Sequence, residues 1–227
     1  MKVLELFAGS RSFSKVAESY GMETFAIDIN PFDNIDLVAD INLLEPKDIP
    51  FTPSIIWASI PCTTFSVCQI GTHWNKDHSP KTIEAWESIS LIIKTLDIIN
   101  HFLKINQELV YYIENPRGKL RRLIPVYDQL DRRTIWYCKY KDEFKRAKPT
   151  DIWSNNFKDL FNPDGWNPRP ECFNGNIKCD HEPSPRGCST TGTQGLKSAY
   201  TRSIIPKELC EEIITQYINQ RVKQINY

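Results

Sequence analysis

The sequence lacks any apolar run of the roughly 20 residues that a membrane-spanning helix needs. Its opening, MKVLELFAG, holds one lysine before a short strand-like run, too short and too early for a signal peptide. No membrane partner is expected. Net charge is also missing, because 28 basic residues balance 28 acidic ones. No global basic field therefore advertises nucleic acid. There is no disulfide framework: the seven cysteines are odd in number and irregularly spaced, which reads as reduced thiols in a cytoplasmic protein. Neither an internal repeat nor a low-complexity tract is found. Two phosphate-cradling motifs are absent as well. G-x-G-x-x-G fails because Arg11 and Ser14 stand at its later positions, and no G-x-x-x-x-G-K-[ST] occurs. A dinucleotide or nucleoside triphosphate is thereby disfavoured.

What is present fits one medium domain. The 227 residues are enough to bury a real core, and their apolar and charged fractions are those of an ordinary globule. The neutral total hides a local imbalance. Residues 1–50 hold nine acids and four bases, whereas residues 117–148 hold eleven bases and four acids, a net of +7. This basic middle reads either as a solvated face with mixed charges or as a surface that follows a phosphate backbone.

Hydrophobic patterning predicts strands over 2–7, 23–30, 36–41, 54–59, 108–115, 133–140 and 150–155. Helices are predicted over 12–21, closed by Gly21, over 80–105, with Pro80 at its start, and over 205–225. Strands alternating with helices indicate an α/β fold with a mostly parallel sheet covered on both faces. Residues 154–200 break the pattern. They are rich in Pro, Gly, Asn, Ser and Thr, without helical or strand period, as functional or disordered segments are.

Ligands of open α/β sheets bind at the carboxyl ends of the strands. Four chemically loaded stretches fall there: FAGSRS, DIN, IPCTTFS and ENPRG. Gly9 sits where the first strand turns into the first helix, a place that permits close backbone approach and favours a carboxylate. Asp28 ends the second strand, where a carboxylate can accept ribose hydroxyls. Asp40 ends the next and can meet an adenine amino group. Either acid reads equally as a solvated loop residue or a helix cap. One glycine turn plus a ribose acid, with no phosphate cradle, suits S-adenosylmethionine better than NAD.

Cys62 follows Pro61 at the end of an apolar strand. A free cysteine is most often a small buried hydrophobe. Methyl transfer to an exocyclic amino group needs no nucleophile. Cytosine C5, by contrast, becomes nucleophilic only once a thiolate has added to C6. That adduct requires an acid near ring N3, and Glu114, closing the following strand, supplies one. The bland reading of Glu114 is a salt bridge to a neighbouring arginine.

Taken in order, these stretches resemble the DNA (cytosine-5) methyltransferases, of the compact kind found in bacteriophages. LELFAGSRSFSKVA resembles the F-x-G-x-G cofactor loop, AIDIN the ribose-acid strand, and PCTTFS the P-C-Q-x-F-S nucleophile loop. ENPRG is similar to E-N-V, and YKDEFKRAKPTDIW to Y-G-x-x-Q-x-R-x-R, which aligns Arg146 and Lys148 with its two arginines. TRSIIPKELCEEII resembles the last motif, G-N-x-V-P followed by a helix returning to the cofactor site. Arg11, Thr63, Ile60, Phe144 and Lys148 depart from the pattern. The resemblance implies a Rossmann-like S-adenosyl-L-methionine-dependent methyltransferase fold. It divides the chain into a catalytic core (1–153), a small target-recognition segment (154–200) and a returning C-terminal helix (201–227). It further implies double-stranded DNA as partner, base flipping, Cys62 as nucleophile, Glu114 at N3 and Arg146 on the base O2. The cofactor would meet Phe7, Ala8, Gly9, Ser10, Asp28, Ile29, Asp40, Ile41 and Pro61. The family's role in restriction-modification is not visible in the chain, and oligomeric state is left open. An inactive DNA- or cofactor-binding relative, or an RNA cytosine-5 methyltransferase, are the rival readings.

No metal is assigned. The nearest ligand set is Cys172, Cys179, His181 and Cys188, spaced six, one and six residues apart, unlike C-x-x-C. It reads first as reduced side chains in a loop. The stretch PRGCSTTGTQG carries hydroxyls and amides suited to base edges or phosphates.

Overall fold

A computed structural model of the chain describes residues 1–123, 130–181, 196 and 198–225. The elements run β1 (Lys2–Leu6), α1 (Ser12–Ser19), β2 (Glu23–Asp28), β3 (Leu37–Val38), β4 (Ile55–Ser59), α2 (Ile70–His73) and α3 (Ile83–Ile105). They continue with β5 (Val110–Pro116), β6 (Arg132–Trp136), β7 (Pro149–Ser154), α4 (Ala199–Ser203) and α5 (Lys207–Ile225). Among the described residues the strands form one seven-stranded sheet, ordered β3-β2-β1-β4-β5-β7-β6. β1 to β5 pair in parallel. β7 lies reversed between β5 and β6. This is a Rossmann-like, doubly wound α/β arrangement with a reversed strand near one edge. Its chain order turns back between β1 and β4, so a crevice opens at the carboxyl ends of those strands.

The alternation of strand side chains sorts the core into two layers. Leu4, Leu6, Ile56, Ala58, Tyr111 and Ile113 face α3, packing with Ile92, Ile98, Ile99 and Phe102. Val3, Ile55, Trp57, Val110 and Tyr112 face the other way, against Phe13, Val16 and Ala17 of α1 and Leu209, Ile213 and Tyr217 of α5. The C-terminal helix thus joins the core on the face of α1. Its lead-in is pinned there by Ile205, whose backbone N–H donates to Ser12 Oγ at 3.1 Å. No helix among the described residues is long and apolar enough to cross a membrane.

The elements differ from the sequence reading where local chemistry intervenes. The 80–105 helix begins at Ile83, because Thr82 accepts from the Ala85 N–H and caps it. The expected strand over 133–140 stops at Trp136 and becomes a 3-10 turn over Tyr137–Tyr140. Trp136 pairs with Pro149, which brings no N–H to extend the ladder. The strand over 36–41 shrinks to Leu37–Val38. α2 and α4, which the periodicity does not reveal, are each a single short turn or two.

One strand residue serves a helix. Arg11 stands at the N-cap of α1 and has no side-chain oxygen to offer its amides. Glu5, buried on β1, accepts instead from Phe13 N at 3.2 Å and Ser14 N at 2.8 Å. Burial pushes the Glu5 carboxyl above its ordinary value, while the Ser14 hydrogen bonds pull it back. Replacing Glu5 with Ala leaves two buried donors without an acceptor, which is expected to lower stability by about 1–3 kcal/mol. Urea unfolding of the variant checks this; a midpoint unchanged from the parent would show that the carboxylate is dispensable.

Candidate active site

The parallel pairing of β4 with β5 sets Ser59 opposite Glu114. Cys62 lies three residues past Ser59, in the loop that leaves the sheet. That loop is held on several sides. The Phe65 and Ser66 N–H groups turn back onto the Cys62 carbonyl at 3.1 and 3.0 Å. Asn115 Nδ2 donates to the Ile60 carbonyl at 2.8 Å, and Trp74 Nε1 to that of Thr64 at 2.9 Å. The Lys119 N–H reaches the Phe65 carbonyl at 2.7 Å. The approach at Gly118 is closer still: a Cβ there would lie 2.2 Å from the Phe65 oxygen, so no other residue fits. The glycine of ENPRG is therefore required by the loop of Cys62.

Glu114 is buried, and Tyr137 OH donates to its Oε1 at 3.1 Å. Lys148 Nζ stands 3.7 Å from the same oxygen. It also donates to Tyr137 OH at 3.4 Å and to the Arg202 carbonyl at 3.1 Å. Glu114 Oε2 takes no hydrogen bond among the described residues. β7 delivers Lys148 here, because it runs antiparallel to β5 and so begins where β5 ends.

The charges act on one another. Burial pushes the Cys62 thiol above its ordinary value, the Lys148 ammonium draws it down, and Glu114 raises it again. Burial likewise lowers Lys148, while Glu114 and Cys62 hold it up. Tyr137 is raised well above the usual phenol range, first by burial and then by Glu114. It therefore stays protonated and keeps donating. Thiol, carboxylate and ammonium share one neighbourhood, with the ammonium as the cation that offsets thiolate formation.

Arg146, expected on the base O2, is placed differently. Its guanidinium is fully buried. Nε and one terminal nitrogen grip the Asp142 carboxylate, with Nε at 2.8 Å. The remaining N–H groups go to the carbonyls of Thr201 and Arg202, each at 3.2 Å, and of Ile204 at 2.9 Å. All five donors of an arginine are thereby engaged. None is free for a substrate; the cation beside Glu114 is Lys148, and Lys148 together with Arg202 draws the Cys62 thiol down. The motif resemblance set Lys148 against the second arginine of the pattern but gave it no role. The missed signal was its position immediately before the strand that runs back along β5.

The first and second strands end as expected. Phe7, Gly9 and Arg11 all take left-handed backbone at φ 56, 50 and 54. Arg11 adopts this conformation at the second-glycine position and turns its side chain away, into an ion pair with Glu18 and a 3.3 Å contact with Thr24 Oγ1. Asp28 accepts from Gly9 N at 2.9 Å and Asn30 N at 2.8 Å. Ser10 Oγ lies 2.7 Å from Ser12 Oγ, and Ala8 is buried. Ile29 and Pro61 are exposed. Asp40 caps the 3-10 turn Ile41–Leu43 through the Asn42 N–H at 2.9 Å, and the Ile41 side chain is buried in the core.

The basic middle is answered internally in part. Arg121 and Arg132 pair with buried Asp151, Lys141 with Glu208, Arg146 with Asp142 and Lys148 with Glu114. Lys119 is buried 2.6 Å from His78 Nδ1. Arg117 and Arg122, beside the Cys62 loop, are exposed. The stretch PRGCSTTGTQG and Cys188 lie outside the described residues.

No family model and no curated protein matches the chain. Among solved structures it is similar to a mutant of Spodoptera frugiperda DNMT2, at 16% identity over 67% of this chain with a TM-score of 0.43. The chain spans about half (49%) of the length of that structure.

Alkylation by iodoacetamide reads the thiol directly. Because Cys62 is raised, its rate is expected to keep climbing past pH 9.0, the ordinary thiol value. Lys148→Met removes a charge that favours thiolate and is expected to shift the profile to still higher pH. Mass spectrometry of the Cys62 peptide follows both; a midpoint well below 8 in the parent chain contradicts the geometry.

Proposed function

We propose that the chain transfers a methyl group from S-adenosyl-L-methionine to C5 of a cytosine in double-stranded DNA, with Cys62 as nucleophile. The observation that carries this reading is the joint placement of Cys62, Glu114 and Lys148 at adjacent strand ends, next to the Gly9 turn. A thiol with an acid and a cation around it suits addition across C5–C6 of a pyrimidine. It has no evident use in transfer to an amino group.

The residues at the ends of β1 and β2 fit a nucleoside-bearing cofactor. Asp28 Oδ2 accepts only the Gly9 N–H, so it retains capacity for a ribose hydroxyl. The left-handed turn at Gly9 leaves the backbone open beside the α1 N-terminus. Phe7, Ala8, Ser10, Ile29, Asp40, Ile41 and Pro61 are the further residues that the motif resemblance assigns to the cofactor. When bound, S-adenosyl-L-methionine supplies an electrophilic methyl group.

The chain's residues supply the rest. A base flipped from the duplex enters the crevice. Cys62 gives its proton to solvent water, with Lys148 balancing the new charge, and Sγ bonds to C6. The C5–C6 pair of electrons moves to C5. Glu114, oriented by Tyr137, meets N3 through its free oxygen, and Lys148 meets O2. After methylation a water takes the C5 proton, the C5–H electron pair re-forms the C5–C6 double bond, and the C6–S pair leaves on sulfur to regenerate the Cys62 thiolate. Lysine lacks arginine's planar fork, so the base is held by a point charge. Exposed Arg117 and Arg122 stand where backbone phosphates would run.

Trapping tests this. Duplex DNA carrying 5-fluorocytosine, with cofactor, is expected to give a covalent complex that survives denaturing electrophoresis. Cys62→Ala gives none, and Glu114→Gln lowers turnover on ordinary cytosine by about 10²–10⁴-fold. Parallel reactions with an RNA substrate choose the nucleic acid: trapping on RNA alone overturns DNA as the partner. No adduct on either overturns the enzymatic reading.

A further inference from the structure

We propose that Cys138, Cys172, Cys179 and His181 bind one zinc ion, which fastens the irregular segment after β7 to the wall of the active site. Their ligand atoms all lie within 4.8 Å of one another. Tetrahedral zinc, with Zn–S about 2.3 Å and Zn–N about 2.0–2.1 Å, holds its ligands roughly 3.5–3.8 Å apart. Cys172 Sγ and His181 Nδ1 already stand 3.9 Å apart. Closure on a metal thus needs shifts of an ångström or less.

The chemistry of the set is specific. Three thiols and an imidazole are soft ligands that select zinc over magnesium or calcium. Four protein ligands complete a tetrahedron and leave no open position, as structural sites do. His181 gives an independent sign. It is buried, and its Nε2 has no hydrogen-bond partner among the described residues. Its Nδ1 has only the Cys172 sulfur at 3.9 Å. A buried imidazole with neither nitrogen well paired is costly. A metal on Nδ1 gives that nitrogen a partner and fixes the proton on Nε2. Asn176 Nδ2 donates to Cys172 Sγ at 3.3 Å, as an outer-shell donor to a metal-bound thiolate does.

The segment also needs a fastening. The apolar residues around the cluster are few: Trp136 and Ala147, with the cysteines themselves. Small modules of this kind draw stability from a metal in place of a core. Three ligands come from the irregular segment and the fourth, Cys138, from the 3-10 turn after β6. Cys138 adjoins Tyr137, whose hydroxyl holds Glu114. The ion would therefore fix the backbone that orients the carboxylate, whatever reaction that carboxylate serves. Cys138 replaces Cys188 in the set suggested by spacing along the chain. It lies 34 positions before Cys172, so only folding brings it in.

Elemental analysis and zinc X-ray absorption of the purified full chain test the site. The expected result is one zinc ion per chain with three sulfur ligands and one nitrogen. Cys188→Ser is expected to keep the metal and the same ligand count, whereas Cys138→Ser is expected to lose it. A chain that neither carries nor takes up added zinc overturns the proposal. So does zinc retained in Cys138→Ser, or a sulfur lost in Cys188→Ser. If Cys138→Ser does not fold, the sulfur count in Cys188→Ser decides alone: three supports the set and two refutes it. None of these readouts depends on methyl transfer.

Discussion

The Arg146 guanidinium ties together parts of the chain that are far apart in sequence. With Asp142 it forms a fully buried ion pair, and through the carbonyls of Thr201, Arg202 and Ile204 it captures the C-terminal return. Its plane also lies over the rings of Tyr137 and Phe144, 5.1 and 4.9 Å from the centroids. Taking one partner from such a buried pair typically costs about 3–5 kcal/mol. Lys148 follows two residues later and inherits this rigidity. Lys148, beside Glu114, is placed by an arginine whose donors are all engaged within the chain.

That arrangement explains how a chain of zero net charge holds a strongly basic middle. Five of the eleven bases of 117–148 pair with acids, namely Asp142, Asp151, Glu114 and Glu208. Their density in the sequence reflects the joining of β6, β7 and α5 to the sheet. Arg117, Arg122, Arg132, Lys141 and Lys145 are the exposed bases of this stretch.

The fold was legible in the sequence because strand and helix periods repeat over long stretches. KVLEL, SIIWAS and ELVYYIEN each announce a buried strand, and the carboxyl-end rule located Cys62 and Glu114 from them. What the sequence concealed depends on contacts between distant residues. Glu5 reads as a strand residue, yet it caps α1. Arg146 and Lys148 are two positions apart and chemically alike, and only the carbonyls of 201–204 separate the strut from the active cation. Cys138 looks like one more buried cysteine until the irregular segment folds against it. Asp40 could be read as a ligand or a cap from sequence, and it caps a turn.

The contact between Gly118 and the Phe65 carbonyl has a mechanical meaning. With the backbone of ENPRG lying directly against the nucleophile loop, and with Lys119 N–H bonded to the same oxygen, the loop is not a free lid. Displacing it would have to carry the end of β5 as well, and with it Glu114. Cys62 and Glu114 would then move together and keep their spacing.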